Sequence, residues 1–147
     1  MDRAKLLSGM PLRGTYALFL HLEHDTPIVV GRLGTFHFPA GYYIYVGSAL
    51  GGGGLSARLA RHYRQQKKLH WHIDYLLAHA RIVGVRTDAS GERLECVWAR
   101  KWLDTPGVQV IAPGFGASDC GCPAHLIYLG SIQPGRRKMQ WNNAQSN

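Results

Sequence analysis

An arginine-rich segment directly after a run of glycines contains the first side chains that could bind phosphate. Arg58 and His62 lie one turn apart on a helix predicted over residues 55–65, at the border between its apolar and polar faces. An arginine in that position can hold phosphate oxygens with its planar, bidentate guanidinium group. Arg61 and Arg64 lie further round, where a solvated basic face would explain them equally well. The apolar stripe of this helix comprises Leu55, Leu59 and Tyr63.

A carboxylate on the apolar side of a later helix is the second candidate. Periodicity predicts that helix over residues 91–104, with an apolar arc of Leu94, Trp98, Ala99, Trp102 and Leu103. Glu95 falls inside the arc, where a buried carboxylate needs a base, a cation or a shifted pKa. A buried ion pair with an arginine and a divalent metal site both remain open. Glu92, in the predicted first turn, is explained by the helix dipole.

Tyrosines mark two of the predicted strands. Tyr16 lies in a first strand over residues 14–23, and a turn joins it to a second strand over residues 28–34, predicted as its hairpin partner. Tyr43 and Tyr45 share one face of a third strand, whose nearly continuous apolar character indicates a central position. Because most strand tyrosines simply pack in a core, these residues alone indicate no chemistry.

Charge and composition restrict the class of partner. The chain has 147 residues, with 17 Lys and Arg against 9 Asp and Glu, which gives a net charge of +8. A polyanion such as nucleic acid is the expected partner, and an anionic membrane surface is the alternative. No run of eighteen apolar residues predicts a membrane span, and the start of the chain has no signal-peptide pattern. We expect one domain over residues 1–131 and a basic, loose tail over residues 132–147.

The cysteines and histidines near the end of the chain raise the question of zinc. Cys120, Cys122 and His125 form a C-x-C-x-x-H pattern, with His70 and His72 as possible further ligands. Structural zinc sites prefer C-x₂₋₄-C pairs, so zinc is not expected, and small buried cysteines in a glycine turn are the preferred interpretation. Three cysteines are an odd number, which favours a reducing cytoplasm over a disulfide framework.

Four short motifs, taken in their order along the chain, resemble the signature of the GIY-YIG endonuclease superfamily. They are GTY at 14–16, YVG at 45–47, LSARLARH at 55–62 and ERLEC at 92–96. The long glycine loop after YVGSA, the segment HWHIDYLL and the ending GFGASDCGCPAHL resemble its Uri-type branch. Each motif is weak alone, whereas the ordered combination is specific. Thr15 stands where the first motif has isoleucine, and Ser48 where many members have lysine.

The resemblance implies an α+β fold, with a small, mainly antiparallel sheet flanked by helices. It also implies hydrolysis of phosphodiester bonds in DNA with one divalent cation, Mg²⁺ or Mn²⁺. The catalytic positions that it implies are Tyr16, Tyr45, Arg58, His62 and Glu95. Glu95 would hold the metal and face the sheet surface with the tyrosines, Arg58 would neutralise charge on the phosphate, and Tyr16 would activate or orient the attacking water. A phenol with a pKa of about 10 needs a nearby cation to act as a base.

Further residues of the basic helix and of the glycine loop are expected to contact nucleic acid. They are Gly47, Ser48, Arg61, Arg64, Lys67, Lys68 and His72. Gly47 would let the backbone approach the substrate closely. For His72, packing of the neighbouring Trp71 is an equally simple explanation. The substrate could be single-stranded, duplex or branched DNA, or RNA. A catalytically silent nucleic-acid-binding module on the same scaffold is the alternative function, since the basic residues would supply phosphate affinity in either case.

Overall fold

Alternating side chains along the first strand divide the molecule into two apolar layers. In β1 (Gly14–Leu22), Leu18 and Leu20 belong to one buried cluster, whereas Ala17 and Phe19 belong to another. Successive side chains of a strand point to opposite faces, so both faces of this strand are covered. These observations come from a computed structural model, which describes residues 12–117 and 120–131. The predicted tail over residues 132–147 lies outside the described residues.

The main sheet has four strands in the order β5-β1-β4-β6, and each neighbouring pair is antiparallel. Its other strands are β4 (Gly41–Ala49), β5 (Arg81–Asp88) and β6 (Leu126–Gly130). A second sheet pairs β2 (Thr26–Val30) with β3 (Gly34–Phe38). The helices are α1 (Gly54–Tyr63), α2 (His72–Leu77) and α3 (Glu95–Leu103). The predicted α+β class with a small antiparallel sheet flanked by helices is therefore confirmed, as is the central position of β4.

The predicted hairpin between the first two strands is wrong. β1 pairs with β4 along nine consecutive positions, from Gly14 opposite Ala49 to Leu22 opposite Gly41, and with β5 on its other side. β2 instead turns back on β3. A turn signal between two apolar runs shows that the chain reverses, but strand partners are chosen by burial across the whole domain.

The two faces of the sheet carry different helices. The face with Tyr16 and Tyr43 is covered by α1, α2 and the β2-β3 hairpin, through residues such as Leu55 and Leu76. The opposite face is covered by α3, whose indole rings at Trp98 and Trp102 pack on the β1 and β4 side chains. The body of α3 and the buried tyrosines thus lie on opposite faces, but Glu95, the first residue of α3, borders the same space as Tyr45 at the end of the sheet.

Helix ends differ from the sequence expectation at two places. Tyr63, predicted to face inward, is the last residue of α1 and is 53% exposed, whereas His62 takes the buried position with 3% exposure. α3 begins at Glu95, four residues later than predicted. Glu95 therefore lies in the first turn, where a carboxylate is stabilised by the helix dipole, and not in the middle of a buried arc.

A buried hydroxyl holds the segment that leads into α3. Thr15 Oγ1 accepts a hydrogen bond from the Leu94 backbone amide at 3.1 Å and donates one to the Glu92 carbonyl at 3.3 Å. Thr15 has no exposed surface, so these partners are not replaced by water. Thr15 thus anchors the start of the helix that carries Glu95.

Replacing Thr15 with valine should lower the free energy of unfolding by about 1–3 kcal/mol. The isosteric change leaves the amide of Leu94 and the carbonyl of Glu92 without this partner in a partly buried setting, and loss of such a partner costs about that much. Urea unfolding would measure the change. Thr87→Val, at an exposed position of β5, is the matched control. Equal stability of the two variants would contradict the anchoring role.

The helices of the described ranges include none that is long and apolar enough to cross a membrane.

Candidate functional site

A polar cleft opens at the end of the sheet where β4 extends beyond its pairing with β6. β6 pairs with β4 from Tyr42 to Tyr45, whereas β1 pairs along all of Gly41–Ala49. Past that point, side chains from both faces of the sheet can reach the same space. The cleft has a volume of about 410 Å³. Its lining includes Tyr45, Gly47, Ser48, Arg58, Arg93, Glu95 and His125.

Glu95 supplies the carboxylate of the cleft. Its side chain is 25% exposed, and Oε1 accepts a hydrogen bond from Ser48 Oγ at 3.2 Å. Oε2 lies 3.6 Å from Nδ1 of His125. A Mg²⁺ or Mn²⁺ ion needs only one or two protein carboxylates, because it retains several waters. A partly exposed glutamate in a polar cleft fits that requirement.

Arg58 supplies a cation on the opposite side of Ser48. Its Nη1 donates a hydrogen bond to the Ser48 carbonyl at 2.9 Å, and its guanidinium carbon lies 4.2 Å from the centre of the Trp71 ring. The side chain and the carbonyl of one residue thus bind the carboxylate of Glu95 and the guanidinium of Arg58 separately. Both charged groups line the cleft, where an anionic substrate and a cation could meet them.

The two motif tyrosines occupy different depths. Tyr45 lines the cleft, whereas Tyr16 has no exposed surface and its Oη lies 2.6 Å from Nε2 of His62. The ring centres of Tyr16 and Tyr45 are 6.4 Å apart. A side chain at Gly47 would collide with the Tyr16 ring, because an added Cβ would lie 2.6 Å from Oη. Gly47 thus makes room for Tyr16, a role that differs from the expected backbone approach to substrate.

Burial sets the protonation of this aromatic pair. Burial raises the pKa of Tyr16 to about 12, although the nearby Arg58 opposes the shift. Burial and the positive charge of Lys67 lower the pKa of His62 to about 4. Near neutral pH, Tyr16 is therefore a phenol hydrogen-bonded to the neutral imidazole of His62. Burial also raises the pKa of Tyr45 well above 10, so Tyr45 carries its proton as well.

The buried state of His62 predicts a pH dependence of stability. Its pKa falls from 6.5 in the unfolded chain to about 4 in the fold, so only the unfolded chain binds a proton between these values. The contribution of His62 to the free energy of unfolding is fully present above pH 6.5 and is lost as the pH falls towards 4. The full shift corresponds to roughly 3 kcal/mol.

His62→Gln should flatten this dependence by about one proton, as measured by urea unfolding at pH values from 7 to 4.5. The exposed His79→Gln variant should keep the wild-type slope. A His62→Gln slope as steep as that of wild type would contradict the assignment.

Asp74, which sequence reasoning overlooked, holds the basic helix in position. It has no exposed surface, and its carboxylate oxygens accept from Arg61 Nη1 at 2.8 Å and Nη2 at 2.9 Å. The backbone amides of His70 and Trp71 donate to the same carboxylate. Burial opposes ionisation, but these hydrogen bonds lower the pKa of Asp74 below its ordinary value. The Trp71 ring lies between Arg58 and Arg61, whose guanidinium carbons are 4.2 and 4.1 Å from its centre.

The other residues expected to bind nucleic acid have varied positions. The ammonium group of Lys67 donates to the carbonyls of Arg61 and His62, and so caps the end of α1. Arg64 and Lys68 are exposed. His72 accepts a hydrogen bond from the Gly116 amide at 2.9 Å, so it supports a glycine turn beside the cleft. Of the expected set, Gly47 and Ser48 line the main cleft.

A cluster of sulfur and imidazole groups adjoins the cleft. The ligand atoms of Cys96, Cys120, Cys122 and His125 all lie within 4.8 Å of one another. The three cysteines form no disulfide. Cys96 lies in α3, far along the chain from the C-x-C-x-x-H pattern, and only the fold brings it to the cluster. A count of all three cysteines with His125 was the signal that could have found it.

The fold and this site define the class of protein: an α+β domain with a polar cleft at the end of an antiparallel sheet. The chain belongs to the family described as Domain of unknown function DUF123, whose family model matches residues 15–144. Comparisons with curated proteins and with solved structures find no match. The matched range includes the cleft residues and the cysteine–histidine cluster.

Proposed function

We propose that this protein is a metal-dependent endonuclease that hydrolyses phosphodiester bonds in DNA. The observation that carries the proposal is the shared cleft of Glu95 and Arg58, each bound to Ser48 at a different atom. A carboxylate that can hold a divalent cation and a guanidinium that can hold a phosphate thus line the same cleft on either side of Ser48. The similarity of the four ordered motifs to the GIY-YIG superfamily supports the same activity.

Each charged group has a separate role in the proposed reaction. Glu95 would hold Mg²⁺ or Mn²⁺ through its carboxylate, and the bound ion would supply Lewis-acid stabilisation of the phosphate and the leaving oxygen. Arg58 binds non-bridging phosphate oxygens and stabilises the charge that develops on them. Its contacts with the Ser48 carbonyl and the Trp71 ring fix the guanidinium before substrate binds, so little reorganisation is needed.

We propose that Tyr45 orients the attacking water. It lines the cleft, whereas Tyr16 is fully buried and already hydrogen-bonded to His62. This assignment changes the role first expected for Tyr16, which becomes a support beneath Tyr45. Burial raises the pKa of Tyr45 although the charge of Arg58 opposes the shift, so the hydroxyl keeps its proton and can orient a water through hydrogen bonds.

The DNA backbone would extend from the cleft along the basic helix. Arg58 and Arg61 line a smaller hollow of about 160 Å³ beside the glycine loop, and Arg64 and Lys68 are exposed nearby. The net charge of +8 supplies general attraction to phosphates. We place the protein in the cytoplasm, where a reducing environment keeps its three cysteines unpaired.

A cleavage assay on labelled single-stranded, duplex and branched DNA, with RNA in parallel, tests the proposal. Cleavage is expected with Mg²⁺ or Mn²⁺ and is expected to stop when EDTA removes the ion. Binding should fall steeply with salt, whether or not cleavage occurs. Retarded but uncut substrates under every metal condition would instead support the catalytically silent binding module.

A further inference from the structure

We propose that Cys96, Cys120, Cys122 and His125 form a structural site for one Zn²⁺ ion, distinct from the divalent cation at Glu95. The four side chains come from three places along the chain: the first turn of α3, the glycine-rich segment before β6, and the residue directly preceding β6. Their ligand atoms lie within 4.8 Å of one another. Three sulfurs and one imidazole are a ligand set that structural zinc sites use.

The distances fit a tetrahedral site after a small contraction. Zn–S bonds of about 2.3 Å place neighbouring ligand atoms about 3.7 Å apart. Nε2 of His125 lies 3.3 Å from Cys120 Sγ and 3.8 Å from Cys96 Sγ. Cys122 and His125 are 7% and 2% exposed, whereas Cys96 and Cys120 are partly exposed at the wall of the cleft.

A C-x-C pair is by itself a poor local chelate for zinc. The sulfurs of a tetrahedral set need not be neighbours in the sequence, because the fold packs α3 against β6 and brings Cys96 to the cluster before the start of that strand. Cys96 therefore supplies the ligand that local spacing lacked, and neither His70 nor His72 is needed. His72 instead accepts a hydrogen bond from Gly116.

The orientation of His125 is a second, independent observation. Nε2 faces the sulfurs, whereas Nδ1 is buried and has no hydrogen-bond partner within strict limits among the described residues. Glu95 Oε2 lies 3.6 Å from Nδ1. Histidines that ligate metal through one nitrogen commonly donate the other N–H to a carboxylate, which fixes the ring and its tautomer. The imidazole of His125 would thus link the zinc site to the carboxylate in the cleft.

Zinc bound here would tie α3 to the glycine-rich segment and to the start of β6. These elements form one side of the cleft, so the ion would stabilise the wall from which Glu95 extends. Zinc is chosen over iron because a closed tetrahedral site of cysteine and histidine in a small domain is a common zinc arrangement, and no redox role is needed.

Metal analysis of the full chain tests this proposal without reference to nuclease activity. The protein would be purified under reducing conditions without chelators, and its metals measured by mass spectrometry. We expect about one zinc ion per chain in wild type and in His79→Gln, whose exposed imidazole lies outside the cluster. Cys96→Ser and Cys122→Ser should each lose most of the zinc.

A second measurement covers the case in which the cysteine variants do not fold. Zinc would be removed from wild-type protein and replaced with Co²⁺, whose tetrahedral thiolate complexes give intense d–d and sulfur-to-metal charge-transfer absorption. Those bands, and their loss on addition of one equivalent of Zn²⁺, are the expected result. Wild-type protein without bound zinc and without this spectrum would overturn the proposal, as would stoichiometric iron or a disulfide among the cysteines of the purified chain.

Discussion

Glu95→Gln is expected to abolish cleavage, with a fall of at least about 1000-fold in the rate constant at saturating DNA. Glutamine keeps the size of the side chain and can still accept the hydrogen bond from Ser48 Oγ. It removes the negative charge that a divalent cation requires, so the Mg²⁺ response should disappear. DNA affinity should stay the same or rise slightly, because one carboxylate near the phosphates is neutralised.

Glu92→Gln is the matched control for this variant. Glu92 is exposed and lies three residues before Glu95, outside the helix itself. The Glu92→Gln variant should cleave DNA like wild type over the same range of Mg²⁺ concentrations.

Zinc content should be measured in both variants, because Glu95 also approaches His125. In a variant that retains zinc, any loss of activity comes from the change in the cleft. Full activity of zinc-loaded Glu95→Gln would remove Glu95 from the proposed reaction.

Arg58→Ala is expected to slow cleavage by about 100- to 1000-fold, equivalent to about 2.7–4 kcal/mol of transition-state stabilisation. The guanidinium is already held by the Ser48 carbonyl and the Trp71 ring, so it presents a fixed charge to the phosphate. Arg58→Lys should recover only part of the rate, because an ammonium keeps the charge but lacks the planar, bidentate fork. Single-turnover rates at saturating DNA would separate this effect from binding.

Arg64→Ala provides the comparison, because Arg64 directly follows α1 and is exposed to solvent. Its loss should weaken binding and reduce the salt dependence of the affinity, with the saturated cleavage rate unchanged. If Arg58→Ala and Arg64→Ala lowered affinity alike and left the saturated rate intact, Arg58 would be a binding residue and not a transition-state clamp.

Some of the site residues predicted from the sequence line the cleft, and others do not. Tyr45, Arg58 and Glu95 were identified from motif order and helix periodicity, and they line one cleft. The predicted position of Glu95 within the buried arc of the helix is nevertheless wrong. Because α3 begins at Glu95, the residue lies at a helix end beside polar groups and not within a buried arc.

Strand character could be read from the sequence, whereas strand partners could not. The apolar run in β4 correctly indicated a central strand, since the tendency to extend and the tendency to be covered both belong to the local residues. The choice of β4 and not β2 as the partner of β1 depends on which pairing buries both faces of the sheet. That is a property of the whole domain.

The roles of side chains with long-range partners could not be predicted from the sequence for the same reason. Thr15 reads as an ordinary strand residue until its hydroxyl is found beside Leu94, 79 positions along the chain. Asp74 reads as a residue of the first helical turn until Arg61 is found against it. Polar groups are costly to bury singly, so their meaning lies in a partner that local spacing does not reveal.

By itself, the sequence determined the secondary structure of most segments, the basic character of the surface and the identity of the candidate cleft residues. These depend on residue type and on short periodic patterns, which act over a few neighbouring positions. Only the tertiary structure decided that Tyr45 and not Tyr16 lines the cleft, and that Cys96 joins Cys120, Cys122 and His125. Depth of burial and convergence of distant side chains arise when the sheet and helices pack, because packing alone brings residues far apart in the chain within bonding distance.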